Sequence, residues 1–171
     1  MNTQYEHMRR PRFSTGGKTF SKAPLFVVLA LILAMSVSCS RPRIIALGLN
    51  AENVVVSDSR EGPAKRPPEF SPGSDVHIRF DLIDYVVDTD GTIYIQEDLA
   101  MLDVDGNTVL AQPKIIDSRA IPTEVGAAIN VANNITLFDN AVPGSYLVVL
   151  FIRDMVGGGT VSMEIPIEVV Q

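Results

Sequence analysis

The sequence predicts an all-β protein, an antiparallel sandwich of two sheets and about seven strands, preceded by an N-terminal signal helix. Three observations carry this. From Ser74 onward apolar residues recur at every second position, the period of a half-buried strand. The runs are separated by Asp-Gly, Pro-Gly and Gly-Gly turns at regular spacing. No stretch behind residue 38 carries the three-and-four spacing of an amphipathic helix.

Taken in order, the first strand candidate is RIIALGL…NVVV (43–56), followed by the Pro-rich stretch SREGPAKRPPEFSPG (59–73), a loop that its prolines stiffen. In DVHIRFDL, Val76, Ile78, Phe80 and Leu82 share one face, with His77, Arg79 and Asp81 on the other. The turn DTDG (88–91) leads into TIYIQEDLAML (92–102). There Glu97 interrupts the row Ile93, Ile95, Leu99, Met101, and a bulge that turns it outward is favoured over a costly buried carboxylate. DVDGN (103–107) separates that strand from TVLAQPKII (108–116), and AINVANNITLF (128–138) follows. In SYLVVLFIRD (145–154) both faces are apolar. One row is Tyr146, Val148, Leu150 and Ile152, the other Leu147, Val149 and Phe151. VGGGT (156–160) opens a last strand in which Val161, Met163, Ile165, Ile167 and Val169 point one way. Pro166 cannot donate to a ladder and predicts an edge position, with Glu164 and Glu168 discouraging further pairing.

The N-terminal region has a different composition. Arg9, Arg10, Arg12, Lys18 and Lys22 precede Leu25–Met35, which no polar side chain interrupts. This is the order of a secretory signal, and the run is shorter than the roughly 20 residues a membrane span needs. Ser36 and Ser38 follow, then Cys39, the single cysteine of the chain. The stretch MSVSCS (35–40) resembles the lipobox of bacterial lipoproteins, in which a small residue precedes a cysteine that is acylated and becomes the new N-terminus. Ser36 stands where that pattern usually has leucine, and an ordinary signal-peptidase cut fits the same residues. The resemblance implies a signal peptide at 1–38, a lipid-anchored tether at 39–48 and a folded domain at 49–171. Membrane attachment would then run through lipidated Cys39, facing the periplasm or cell exterior. Ser40, rather than aspartate, resembles lipoproteins sent to the outer membrane of hosts that have one.

Without residues 1–38 the chain keeps 19 acidic and 9 basic residues, a net charge near −10. Phosphate backbones need clustered Lys and Arg, so nucleic acid is excluded as a partner. Tryptophan is absent, and His77 is the one histidine behind residue 38. A transition-metal site of usual composition and a Ser-His-acid triad therefore lack their parts, and no G-x-S-x-G elbow is present. Glu97 and Asp98 make a carboxylate pair on paper, without the stacking aromatics that sugar sites want. No catalytic residue and no cofactor follow from the sequence. Asp88, Asp90, Asp103 and Asp105 are the metal candidates, a Ca²⁺ site shared by the two Asp-Gly turns if these meet at one end of a sandwich. Their flanks are strands and not the helices of an EF-hand, which favours plain hairpin turns.

The stretch PGSYLVVLFIRD (143–154) resembles the penultimate strand of immunoglobulin-like and fibronectin-type modules. Tyr146 stands at the corner tyrosine, whose hydroxyl in those modules bonds back to the backbone, and Val148 stands where antibody domains place a cysteine. The resemblance implies an immunoglobulin-like sandwich without its disulfide. It implies architecture only. The functional expectation is a non-catalytic, membrane-anchored module that binds another envelope protein. Leu147, Val149 and Phe151 form the candidate partner surface unless the Pro-rich loop or the N-terminal segment covers them, and 88–91, 103–107 and 155–160 are candidate contact tips. The alternative is a β-sandwich that binds a carbohydrate or small molecule, with Ca²⁺ at the Asp-Gly turns.

Overall fold

The computed structural model describes residues 41–171, so the expected signal helix, the signal segment 1–38 and Cys39 lie outside the described residues. The described chain is all-β, with nine strands: β1 (Arg43–Leu47), β2 (Asn50–Ser57), β3 (Glu69–Phe70), β4 (Asp75–Ile83), β5 (Ile93–Leu102), β6 (Thr108–Ala120), β7 (Ile129–Thr136), β8 (Gly144–Asp154) and β9 (Thr160–Val169). They form a six-stranded sheet of order β1-β9-β8-β5-β6, with β3 on β9, and a three-stranded sheet of order β2-β4-β7. Apart from the two-residue β3, which runs parallel to β9, all pairings are antiparallel. Among the described residues there is no helix long and apolar enough to cross a membrane.

The period of two becomes packing directly. Val76, Ile78, Phe80 and Leu82 of β4 are buried, and so are Val148, Leu150 and Ile152 of β8 and the alternate row Val161 to Val169 of β9. These rows meet between the sheets in one continuous core. Each such side chain contributes about 1.5–3 kcal/mol on leaving water.

The strand count exceeds the expected seven for two local reasons. Gly48, at φ +74°, breaks the candidate 43–56 into β1 and β2 and sends them to different sheets. The strand switch packs tightly against the β8–β9 turn, where a Cβ on Gly159 would come within 2.8 Å of the Leu49 nitrogen. Within the Pro-rich loop, Glu69 and Phe70 pair with Glu168 and Val169. The loop is otherwise pinned by bonds from the Lys65 nitrogen to the Val56 carbonyl (2.8 Å) and from Arg79 Nη2 to the Gly62 carbonyl (2.8 Å).

Three expectations are corrected. The fold does not wait for residue 49: five residues of the stretch assigned to a tether at 39–48 form β1, in register with Thr160–Glu164. β9 is not an edge strand, because β1 covers its first half and β3 its last residues. Pro166 falls in the gap between those two partners, where no ladder bond is asked of it. Glu164 and Glu168 do not repel pairing; they accept from Arg43 (3.4 Å) and from the Ser145 hydroxyl (2.7 Å).

Glu97 is the third. A register shift does interrupt the β5–β6 ladder between Glu97 and Leu99, but the extra residues lie on β6, where Glu97 pairs with Ile116 and Leu99 with Gln112. The bulge is carried by Lys114, at φ +54°, whose nitrogen donates to Asp98 Oδ1 at 2.8 Å. β5 keeps its alternation, and Glu97 stays in the inward row, fully buried. Asn133 Nδ2 of β7 donates to its Oε1 at 2.8 Å, while Oε2 has no partner. Burial pushes the carboxyl up to about 7, against the Asn133 bond, which lowers it.

Candidate functional site

The outward face of the larger sheet is built around β8. Leu147 lies opposite Leu102 of β5 and Pro166 of β9, Val149 opposite Ala100 and Glu164, and Phe151 opposite Asp98 and Ser162. Directly opposite residues share a face, so these side chains make one apolar patch bordered by acids. Leu147 and Val149 are half-buried and Phe151 is 36% exposed.

The charged border is ordered. Arg153 Nη1 pairs with Asp98 Oδ2 at 2.8 Å, and its guanidinium lies 5.1 Å from the Phe151 ring centroid. The Arg153 bond, and then the bond from the Lys114 nitrogen, hold the Asp98 carboxyl below the usual range. Farther along β5, Tyr94 and Gln96 donate to Asp117 Oδ1 (2.7 and 3.2 Å), with Arg119 4.6 Å from the Tyr94 ring. A flat, partly apolar surface with fixed charges at its border can hold a protein face.

The remaining candidates are dispersed. The two Asp-Gly turns lie at opposite ends of β5, which at about 3.3 Å per residue keeps them some 30 Å apart. Asp88 and Asp90 therefore cannot share an ion with Asp103 and Asp105. The segment 88–91 is also not a hairpin turn, since it links β4 and β5 in different sheets, whereas 103–107 is one. Asp90 Oδ1 accepts from the Thr92 nitrogen (2.9 Å) and hydroxyl (2.6 Å), and Asp103 Oδ1 accepts from the nitrogens of Asp105 and Asn107 (3.0 and 2.8 Å). The Thr92 hydroxyl and then the Thr92 nitrogen hold the Asp90 carboxyl below the usual range, and the Asn107 side-chain amide, which donates to Asp103 Oδ2 at 3.1 Å, and then the Asn107 nitrogen do the same for Asp103. Among the described residues no three His, Cys, Asp or Glu side chains gather at a metal-sized site. Of the contact tips, 88–91 and 155–160 share one end and 103–107 lies at the other, as the pairing of Ile95 with Asp154 and of Leu102 with Leu147 requires.

Glu97 and Asp98 face opposite sides of their sheet, so they cannot flank one glycosidic bond. His77 is half-buried on the smaller sheet, in register with Ser57 and Asn134. The Tyr146 hydroxyl donates to the Val142 carbonyl at 2.9 Å, closing the corner before β8.

Sequence reasoning missed one feature. A cleft of about 620 Å³ opens between β1, β2, the Pro-rich loop and the gap in the sheet at Pro166. Ile44, Val54 and Ile165 line it, and Arg41, Lys65 and Arg66 bring positive charge into an otherwise acidic domain. The signal available in the sequence was the pair Lys65–Arg66 between prolines; that Arg41 joins it depends on β1 lying beside the loop.

No protein-family model and no curated protein matches the chain. Among solved structures, it is similar to the C-terminal domain of wzt at 11% identity, covering 77% of this chain and 81% of that one with a TM-score of 0.53. It is similar to a Niemann-Pick type C2 protein from Japanese carpenter ant at 10% identity, covering 74% of this chain and 96% of that one with a TM-score of 0.51. It also matches the Pseudomonas fluorescens alkylpurine DNA glycosylase AlkC at 13% identity and a TM-score of 0.47, over 72% of this chain and 31% of that one. At such identities the first two likenesses are of fold alone.

Proposed function

We propose that the protein is an exported, non-catalytic module of immunoglobulin-like architecture. It is tethered to the membrane through lipidated Cys39 and binds another envelope protein through the outward face of β8. The observation that carries this reading is the partly exposed row Leu147, Val149 and Phe151, since contiguous apolar surface bordered by fixed charges is what a partner buries. The Tyr146–Val142 bond supports the immunoglobulin-like corner. The basic segment, the apolar run and Ser36–Cys39 support export and anchoring.

The test is chemical cross-linking in the cells that produce the full chain. Val149→Lys with Phe151→Lys should leave the thermal transition of the domain nearly unchanged, because both positions are outward, and should abolish a cross-linked complex seen with the native chain. Cys39→Ser should release the protein from the membrane fraction. Complexes that survive the lysine pair, or membrane attachment that survives Cys39→Ser, would overturn the corresponding half of the reading.

The cleft favours a second reading, a small-molecule site whose ligand carries an anionic group for Arg41, Lys65 and Arg66 beside an apolar part. Decanoate should then raise the unfolding temperature and octyl glucoside should not, and the difference should vanish in Lys65→Glu/Arg66→Glu. Equal shifts from the two probes would remove this reading.

A further inference from the structure

The two sheets end on four edges, and three of them are blunted. β1 has five residues. β2 carries a register shift between Glu52 and Val55 with Asn53 at φ +53°, and its far end is occupied by the bond from the Lys65 nitrogen to the Val56 carbonyl. β6 is interrupted by Pro113 and by Lys114 at φ +54°. Bulges, prolines, charges and short length are the devices that keep sheet edges from pairing. β7 has none of them. Its eight residues, INVANNIT, contain no ionisable side chain and no proline, and they pair with β4 in unbroken register from Asp75–Thr136 to Leu82–Ile129. The bond from the Leu137 nitrogen to the Ser74 carbonyl (2.9 Å) fixes which backbone groups point where. Odd-numbered residues bond to β4, and Asn130, Ala132, Asn134 and Thr136 direct their N–H and C=O groups to the free edge.

The smaller sheet is also one strand short at that edge. The Glu97–Asn133 hydrogen bond places β5 over β7, and β6 continues the larger sheet one strand beyond, with no described strand of the smaller sheet facing it. On the inward side of β6, Leu110 and Ile116, opposite Met101 and Glu97, are only half-buried, and Gln112 and Ser118 are exposed. Among the described residues, an unpaired edge and a partly apolar shelf thus border the same strand-sized space.

We propose that β7 is a strand-acceptor edge. One extended segment of another polypeptide, about eight residues long, uncharged and apolar at alternate positions, pairs with Asn130–Thr136 and covers the β6 shelf. The geometry selects this occupant over the other two. A second copy pairing antiparallel, β7 to β7, would bring its own β5 into the space that β6 already fills, and one pairing in parallel would turn its polar outer face, Asn130, Asn134 and Thr136, onto the shelf. In the cleaved form proposed above the chain's own N-terminal segment keeps two residues ahead of Arg41, too few at about 3.3 Å each to span the four strand spacings, about 19 Å, from β1 to β6. The absence of charge along β7 sets the neutrality of the partner segment, since a charge placed between two apolar sheets would lose its water.

This deepens the protein-binding reading at a surface separate from β8. The experiment places a benzophenone amino acid at Ser118 in the full chain, in the cells that produce it, and a second one at Val149. The Ser118 probe should give one discrete adduct, joined through an uncharged partner stretch with alternating apolar residues. Its yield should fall at least tenfold with Ala132→Pro, which removes an edge N–H and leaves the β4 ladder intact, and with Gln112→Lys, which leaves β7 untouched and puts a charge on the inward side of β6 where the segment would lie. No adduct, an adduct that both variants leave unchanged, a mass equal to two copies of this chain, or attachment through a charged or helical stretch would overturn the proposal. An adduct from Val149 with none from Ser118 would overturn the edge and leave the protein-binding reading standing; adducts from neither site would overturn both.

Discussion

Unfolding free energy should fall by about 3 kcal/mol as pH rises from about 4.5 to 8, and Glu97→Gln should flatten that fall. Glu97 is fully buried, and its carboxyl rises from 4.5 to about 7, chiefly because burial penalises the charged form. A carboxyl whose pKa is raised by folding binds its proton more tightly in the folded chain. Its contribution is therefore complete below the unfolded value and is lost as pH climbs through the folded one. Asp81, Asp98, Asp103 and Asp117 are shifted the other way, below 3.8, by hydrogen bonds to their charged forms. Their contributions are lost only as pH falls below that value, so the stability maximum lies near pH ~4–5. Urea titrations at half-unit pH intervals read both limbs. A slope between pH 5 and 7.5 that Glu97→Gln leaves unchanged would remove Glu97 as its source. Replacing both partners, in Glu97→Met/Asn133→Leu, should abolish the slope and raise stability at pH 8, because it leaves no buried polar atom behind.

Asp154→Ala should cost about 3 kcal/mol, the largest loss expected from truncating one side chain outside the apolar core. Asp154 is buried, and its two oxygens accept three backbone N–H groups. Oδ2 takes Val86 at 2.8 Å, and Oδ1 takes Val156 and Gly157 at 2.9 and 3.0 Å. The same residue closes the β8–β9 turn through its backbone, accepting from the Gly158 nitrogen and donating to the Gly159 carbonyl. One carboxylate thus joins the inter-sheet segment before β5 to the turn after β8, and truncation leaves three donors without an acceptor. Asp154→Asn should recover about half of the loss, since the amide oxygen serves one side and its NH2 group opposes the N–H on the other. Equilibrium unfolding in urea checks the series; equal stability of the alanine and native chains would mean that water replaces the carboxylate.

Glu97 and Asn133 show how far the sequence could be read. Each interrupts an inward row at a regular position, Glu97 between Ile95 and Leu99 and Asn133 between Val131 and Ile135. Alternation alone treats each as an isolated misfit, which makes a bulge the cheaper account. Only the facing of β5 by β7 turns two misfits into one hydrogen-bonded pair. Pro166 behaves the same way: the missing N–H was legible, but the partner it avoids is a gap between β1 and β3 and not open solvent. The apolar outer row of β8 was readable from its alternation. That Phe151 stays exposed, that the Asp-Gly turns lie apart, and that Arg41 meets Lys65 and Arg66 at one cleft were not, because each depends on which strands become neighbours.

Local chemistry along the chain determined the all-β class, most strand positions, the 103–107 hairpin and the inward and outward rows, since a period of two and the turn preferences of glycine act within a few residues. The tertiary structure alone decided, among the described residues, strand order, the ninefold division, the burial of Glu97 and the unpaired edge of β7. Those depend on pairings between residues as distant as Arg43 and Glu164, which burial across the whole chain selects and no local window contains.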